Sequence, residues 1–477
     1  MSGKMSDEVF EKFAIASPMA TLGMIAARAI FSNRQLDKIF QDASSRQYTK
    51  NVAFSTCAKL LGEVALLGTP SVNNAYNRIN AEIPVSISAI YQKLRNVEPK
   101  VCEALVGVTA EKAANLIHTL KATRQEPIPG FRLRVIDGNY LARSERRIKE
   151  LRDSKVASLP GMSVAVYDYA TELISALLVD EDGHANERKL TPGLAQIVQE
   201  NDLIMADRLY CTYNMIDMLT EREAKFLIRH HGSIPIDIDG HKRNACGRCE
   251  TGKVTYKQIE LKDQRTVTAI VITRDKPLKS GKSQVVLFTN LLVNKELAVI
   301  LASLYLKRWK VEEAFRQLTE YLSCEVRTLG YPRAALFAYS LAVTAYNCLR
   351  CVKAAAVNRF GTDFVDTNLS MYNVGQELKR TIPGMEIILG SDYWARFDGM
   401  SLTELSSCMV EVAKNIRIAC YQKSPRGKKK KKIPVKRQSH VHAATNDILV
   451  QRKEKQKALK RKAAKALSKK ANSKKPK

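Results

Sequence analysis

Arg132-Leu133-Arg134-Val135-Ile136-Asp137-Gly138 follows a break at 127–130 and ends on a carboxylate and a glycine. Alternating, β-branched residues bounded by turn formers read as a strand. The run 202–208, Asp202-Leu203-Ile204-Met205-Ala206-Asp207-Arg208, repeats the design: an apolar centre with an Asp at its end. Between the two, 163–169 and 173–179 read as strands joined by the tight connection Ala170-Thr171-Glu172, and 187–200 reads as a helix. A helix over 213–223 and a strand over 225–230 follow. The order β-β-β-α-β-α-β predicts an α/β core, a mixed sheet with helical cover.

Outward from that core, the texture changes on both sides. Residues 1–125 read as helices: Leu36, Ile39 and Phe40, then Phe54, Ala58 and Leu61, recur at helical spacing with basic residues between them. Within them, 84–95 reads as an amphipathic helix with a hydroxyl cap. Its polar face carries Ser88, Tyr91, Gln92 and Arg95, residue types that a recognition helix offers to bases and phosphates. An ordinary surface helix has the same pattern. Residues 232–294 read as a mainly β insertion, through 251–272 and 284–290, and helices resume at Leu297, run through Thr319, and continue in the apolar stretch 334–349. The organisation expected is a helical domain over 1–125, the first part of the core over 126–231, the insertion over 232–294, closing helices over 295–420 and a tail over 421–477.

Charge separates the tail from the body. The 477 residues are 45% hydrophobic and 26% charged, which excludes collagenous and wholly disordered chains, yet the net charge is +29. From 421 to 477 there are 22 Lys/Arg and 2 acidic residues, net +20, leaving +9 for the rest. A self-repelling block such as 428–432 cannot bury apolar area, so the tail is expected to be disordered and to bind phosphates without sequence preference. No stretch reaches the roughly 18 uncharged apolar residues of a membrane span. The nearest, 13–31, is interrupted by Pro18 and Arg28 and preceded by Asp7, Glu8 and Glu11 rather than by basic residues. With ten scattered Cys, the expectation is a protein of the reducing cytoplasm that engages no membrane.

The carboxylates at Asp137 and Asp207 would meet at the sheet rim if their strands are neighbours. Paired carboxylates repel unless a cation lies between them, and hard oxygen ligands suit Mg²⁺. Either Asp alone is as readily a turn or helix cap. A third element joins them: on a helix, Tyr305, Arg308 and Glu312 stand at i, i+3 and i+7 and share one face. An exposed Arg308–Glu312 ion pair is the plainer reading, but Trp309 and Val311 suit a solvated face poorly.

These residues resemble the DDE transposases of bacterial insertion sequences, in particular the insertion-sequence 4 family. The resemblance rests on Asp137 in Ile-Asp-Gly, Asp207 in Ala-Asp-Arg, and a Tyr-x2-Arg-x3-Glu helix after a β insertion. Arg308-Trp309 and Glu312-Glu313 are its most specific part. It covers 130–350 by motif order and the helical N-terminus more weakly. It implies a ribonuclease H-like catalytic domain in which Asp137, Asp207 and Glu312 are the catalytic carboxylates and hold two Mg²⁺ ions, with Mn²⁺ able to substitute. Two such metals activate the attacking water or 3′-hydroxyl and stabilise the leaving oxygen. Tyr305 and Arg308, and less directly Arg208 and Arg316, would hold phosphates. Double-stranded DNA, as transposon-end inverted repeats and target, is the implied partner, bound by a homodimer at the bacterial nucleoid. The family has a Lys seven residues after the Glu; here that position is Thr319. A site-specific nuclease and a non-catalytic DNA-binding descendant are the alternatives.

Cys246-Gly247-Arg248-Cys249 has zinc-ligand spacing, with His241 nearby, but lacks a second pair. Cys348 and Cys351 share the spacing within an apolar run, where core packing accounts for them. There is no glycine-rich phosphate loop of the P-loop type, and His118 and His184 have no identifiable partners in the sequence.

Overall fold

The computed structural model describes residues 2–45, 52–67, 69–79, 83, 85–141, 160–183, 185–236, 243–262, 264–277, 281, 283–322, 329–424, 454–455, 457 and 459. The expected disorder of the tail, apart from those few positions, and His184 and His241 lie outside them. The chain divides into two compact units, Met1–Lys423 and Ser424–Lys477.

Seven helices open the first unit: α1 (Ser2–Ala16), α2 (Pro18–Phe31), α3 (Asn33–Ala43), α4 (Phe54–Leu67), α5 (Val72–Ile79), α6 (Ile87–Asn96) and α7 (Pro99–Thr119). Pro18 and Pro99 begin α2 and α7, where the missing N–H costs nothing. Ser86 caps α6 by accepting from the Ala89 amide.

Next come β1 (Arg132–Tyr140), β2 (Met162–Asp168), β3 (Ile174–Asp180), the single turn α8 (Thr191–Leu194), β4 (Asp202–Ala206), α9 (Tyr213–Glu221) and β5 (Lys225–Arg229). The strands β6 (Asn244–Cys249), β7 (Gly252–Glu260), β8 (Thr266–Arg274) and β9 (Gln284–Thr289) complete the sheet. All nine belong to one sheet in the order β3-β2-β1-β4-β5-β9-β8-β7-β6, so the inserted strands prolong the core sheet through β9, which pairs antiparallel with β5. The pairs β1–β4 and β4–β5 are parallel. This is the ribonuclease H-like mixed sheet with a helical N-terminal region.

Alternation along the strands separates two cores. Leu133, Val135, Leu203 and Met205 face the large helical side, and Ile136, Ile204 and Ala206 face α9. The closing helices are α10 (Lys295–Leu306), α11 (Trp309–Tyr321), α12 (Pro332–Phe360), α13 (Thr362–Asn368), α14 (Met371–Trp394) and α15 (Leu402–Ala413). Asn347 of α12 takes the place of a neighbouring strand at the edge of β3: the Ile174 amide donates to its Oδ1 and its Nδ2 donates to the Ile174 carbonyl, each at 3.0 Å. Glu103 of α7 accepts from the Val179 amide on the same edge.

Three expectations need correction. The helix expected over 187–200 is a 3₁₀ turn, Glu187–Leu190, followed by one α turn. Pro192 starts that turn and cannot continue the one before it, and Gly193 carries no side chain because Leu178 lies where a Cβ would reach. The helix expected from Leu297 through Thr319 breaks between α10 and α11. Finally, among the described residues one helix, α12, is long and apolar enough to cross a membrane, but its apolar window is buried inside the protein. Cys348 and Cys351 are part of that buried surface.

Candidate active site

Asp137 and Asp207 lie one residue beyond the register pair Ile136↔Ala206 on adjacent parallel strands. Alternation turns both toward the helical face, after Val135 and Met205. Asp207 does act as a cap: its Oδ1 accepts from the Leu209 amide at 2.6 Å and starts a 3₁₀ turn over Arg208–Tyr210. That one cap bond uses Oδ1 and leaves Oδ2 of Asp207 without a bond to the 3₁₀ turn.

Arg308 closes the site from above. Its Nη1 donates to Asp137 Oδ2 at 3.0 Å and its Nη2 to Glu312 Oε1 at 2.5 Å. The side chains of Arg308 and Asp137 are 14% and 16% exposed, so this pair is largely out of water and stronger than a surface ion pair. Burial pushes the Asp137 carboxyl up to about 6; Arg308 opposes that rise, and the carboxylates of Asp207, Glu187 and Glu312 add to it. Burial likewise raises the Tyr305 phenol to about 12 against the pull of Arg308 and Arg229, so it keeps its proton at neutral pH.

Tyr305, Arg308 and Glu312 are brought together without lying on one helix. Tyr305 stands in the last turn of α10, Glu312 is in the first turn of α11, and Arg308 stands between them. Bonds of the i→i−3 type tighten the connection, from Lys307 N to Leu304 O at 2.8 Å and from Arg308 N to Tyr305 O at 3.1 Å. The tightened turn buries Val311 completely and leaves Trp309 67% exposed.

The other candidate residues are placed elsewhere. Arg208 is exposed at the rim, beside Asp207. Arg316 is on the outer face of α11, where its Nε donates to Glu313 at 2.8 Å. On α6, Ser88, Gln92 and Arg95 are exposed and Tyr91 is half-buried, and the Arg95 guanidinium lies 3.8 Å from the Tyr331 ring centre. Cys246 and Cys249 lie on β6, Cys246 Sγ 3.4 Å from the Asn244 carbonyl. His118 has a partner after all, the Thr123 hydroxyl at 2.8 Å.

Two further groups escaped sequence reasoning. Glu187 is buried beside Gly138 and accepts from the Tyr210 hydroxyl at 3.0 Å. Its only signal in the sequence was the glycine directly after Asp137. Glu172, in the β2–β3 turn, has a left-handed backbone with φ of 60° and collects Lys353 at 2.5 Å, Arg124 at 2.9 Å, Arg350 at 3.7 Å and Lys310 at 4.0 Å. Although burial works against its charge, those cations hold its carboxyl down at about 2. Lys310 is part of α11, so the cluster anchors the helix that carries Glu312.

Among the described residues, no three His, Cys, Asp or Glu side chains converge on a point at metal-ligand distance. The Arg308 guanidinium occupies the space between Asp137 and Glu312 instead. The donor chemistry, hard carboxylate oxygens from adjacent strands and the first turn of α11, is the type that suits a divalent cation, while burial is what pushes the Asp137 carboxyl up.

Residues 131–348 match the family described as Transposase DDE domain, a span that includes Asp137, Asp207, Tyr305, Arg308 and Glu312. The chain is also similar to the cryo-EM structure of a piggyBac transposase synaptic complex with hairpin DNA, at 11% identity and a TM-score of 0.39, over 83% of this chain and 75% of that one. A likeness that distant assigns no residue. No curated protein matches the chain.

Proposed function

We propose, taking residues 131–348 as a transposase DDE domain, that the chain is a DNA transposase of the insertion-sequence 4 type. On this reading it cuts transposon ends and joins them to target DNA, working as a homodimer on paired ends at the bacterial nucleoid. The observation that carries the reading is the guanidinium of Arg308 bound at once to Asp137 of β1 and Glu312 of α11, with Asp207 in the adjacent strand position.

Asp137, Asp207 and Glu312 would hold Mg²⁺ or Mn²⁺. When bound, the metal lowers the pKa of an attacking water and offsets charge on the leaving oxygen. The chain's own groups do the rest. Arg308 releases its carboxylates and presents its planar fork to a phosphate, for which its geometry is equally matched. The Tyr305 phenol, protonated at neutral pH, donates a hydrogen bond to the same phosphate and cannot repel it. The exposed face of α6 and the basic tail add contacts that position DNA.

The test is a reaction with labelled DNA carrying the inverted repeats that flank the gene, in Mg²⁺. Cleavage at the repeat end followed by joining supports the proposal. Cleavage without joining would make the protein a nuclease. Binding with neither would make it a non-catalytic descendant, as Thr319 in place of the family Lys would favour.

A further inference from the structure

We propose that Lys310 is a positioning residue for the site: reaching to the connection between β2 and β3, it holds the first turn of α11 so that Arg308 and Glu312 meet Asp137. This rests on the reading of Asp137, Asp207 and Glu312 as the catalytic carboxylates.

The connection is tied down from several sides. Thr171 donates to Asp168 Oδ1 from its amide at 2.9 Å and from its hydroxyl at 2.7 Å. The Tyr169 amide donates to the Leu133 carbonyl of β1 at 3.0 Å, and the Arg124 amide to the Ala170 carbonyl at 2.9 Å. From α12, the Tyr346 hydroxyl donates to the Glu172 carbonyl at 3.2 Å.

Lys310 fastens α11 to that fixed point. Its Nζ lies 4.6 Å from the centre of the Tyr169 ring, within cation–π range, and 4.0 Å from Glu172 Oε1. Glu172 has closer cations in Lys353, Arg124 and Arg350, so its charge is answered without Lys310. What Lys310 adds therefore goes to α11. It stands two residues after Arg308 and two before Glu312, about 200° round a helix from each. The first turn is thus gripped on one side by Asp137 through Arg308 and on the other by the connection through Lys310. Val311, fully buried beside them, seats the helix, but apolar burial has no direction. On the proposed function Arg308 lets go of its carboxylates to take a phosphate, and Lys310 is then the polar contact that keeps Glu312 in place.

Lys310→Met keeps the stem and removes the charge, Tyr169→Leu removes the ring from the other side, and Lys310→Arg keeps a cation. Amide hydrogen exchange of the full-length protein, read over 307–314 without DNA or metal, should speed about threefold to thirtyfold in the first two, the scale of one lost cation–π contact. Peptides from β1 and β4 should keep their rates. With flanking-repeat DNA and Mg²⁺, turnover at saturating DNA should fall about tenfold to a hundredfold while KM for DNA holds, and Lys310→Arg should restore most of both losses. If the leucine variant does not fold, the methionine variant still decides. Wild-type exchange and turnover in Lys310→Met would overturn the proposal. So would lost turnover with wild-type exchange, which would make Lys310 a DNA contact instead. If the unaltered protein cuts no repeat DNA, the functional reading fails by itself, and exchange alone decides whether Lys310 holds the first turn.

Discussion

Arg308 donates to Asp137 at 3.0 Å although 171 positions separate them in the chain. One guanidinium thus reports whether β1 of the sheet and the first turn of α11 are in register. If Asp137, Asp207 and Glu312 hold the metals, alanine at each should abolish end cleavage and leave DNA binding nearly unchanged, because affinity comes from phosphate contacts elsewhere. Glu313 is the control, since it bonds outward to Arg316. A Glu312→Ala protein that cuts at the wild-type rate would remove that residue from the site.

Arg308→Lys keeps a charge and gives up the two-point geometry. Removal of such a charge-assisted interaction should slow joining of precleaved ends by roughly tenfold to a hundredfold, about 1.5–3 kcal/mol. Non-specific affinity should hardly change. Near-normal joining at saturating Mg²⁺ would reduce Arg308 to an internal ion-pair partner.

Asp137 also makes stability depend on pH. Its carboxyl titrates near 6 in the folded protein, against an ordinary value of 3.8. The folded state therefore binds more protons than the unfolded state across that window, and stability falls as pH rises from about 4 through 6. The full effect is at most about 3 kcal/mol. Asp137→Asn should abolish this slope in metal-free denaturation curves, and parallel curves for the two proteins would refute the shift.

Glu172 has the opposite sign. Its carboxyl is held at about 2, so its stabilisation is complete above an ordinary carboxyl pKa and is lost as pH falls toward 2. Glu172→Gln leaves Lys353, Arg350 and Arg124 without their shared anion and should cost about 3–5 kcal/mol in urea denaturation at neutral pH. A loss below about 1 kcal/mol, the scale of an exposed pair, would show that Asp366, which also pairs with Lys353 and Arg124, carries the cluster.

The tail can be tested without touching the folded body if the cut is made at Ser424. Tyr421 is buried and its hydroxyl donates to Glu377, and the Lys423 amide donates to the Asn368 carbonyl. Deletion of the tail should weaken binding to random DNA and flatten its salt dependence, by about 0.9 in log–log slope for each phosphate the protein no longer neutralises. An unchanged slope would leave the tail a solubilising role only.

The two carboxylates and the Tyr-Arg-Glu set could be picked out because strand alternation and residue spacing are local signals, although β1 does not end at Asp137 as expected but runs on to Tyr140, paired with β2. The break between α10 and α11 was not legible, since Tyr305 to Glu312 contains no Gly or Pro. Nor was the place of Glu187 or Glu172. Each is defined by a partner far along the chain, Gly138 in one instance and Lys353 in the other, and no spacing rule connects such pairs. The shortened helix after β3 could have been read from Pro192-Gly193, two residues that both disfavour helical continuation.

The Asn347 amide bears on how two copies of the chain could associate. By answering both backbone groups of Ile174, with Glu103 answering the Val179 amide, the protein has already used part of the hydrogen-bonding template that β3 would offer a second molecule. Growth of the sheet across that border would strand buried polar groups at roughly 1–3 kcal/mol each. Under the proposed pairing of two DNA ends, two copies would meet through surfaces other than this part of the β3 edge, or through the nucleic acid itself, and the sheet of each would stay undistorted.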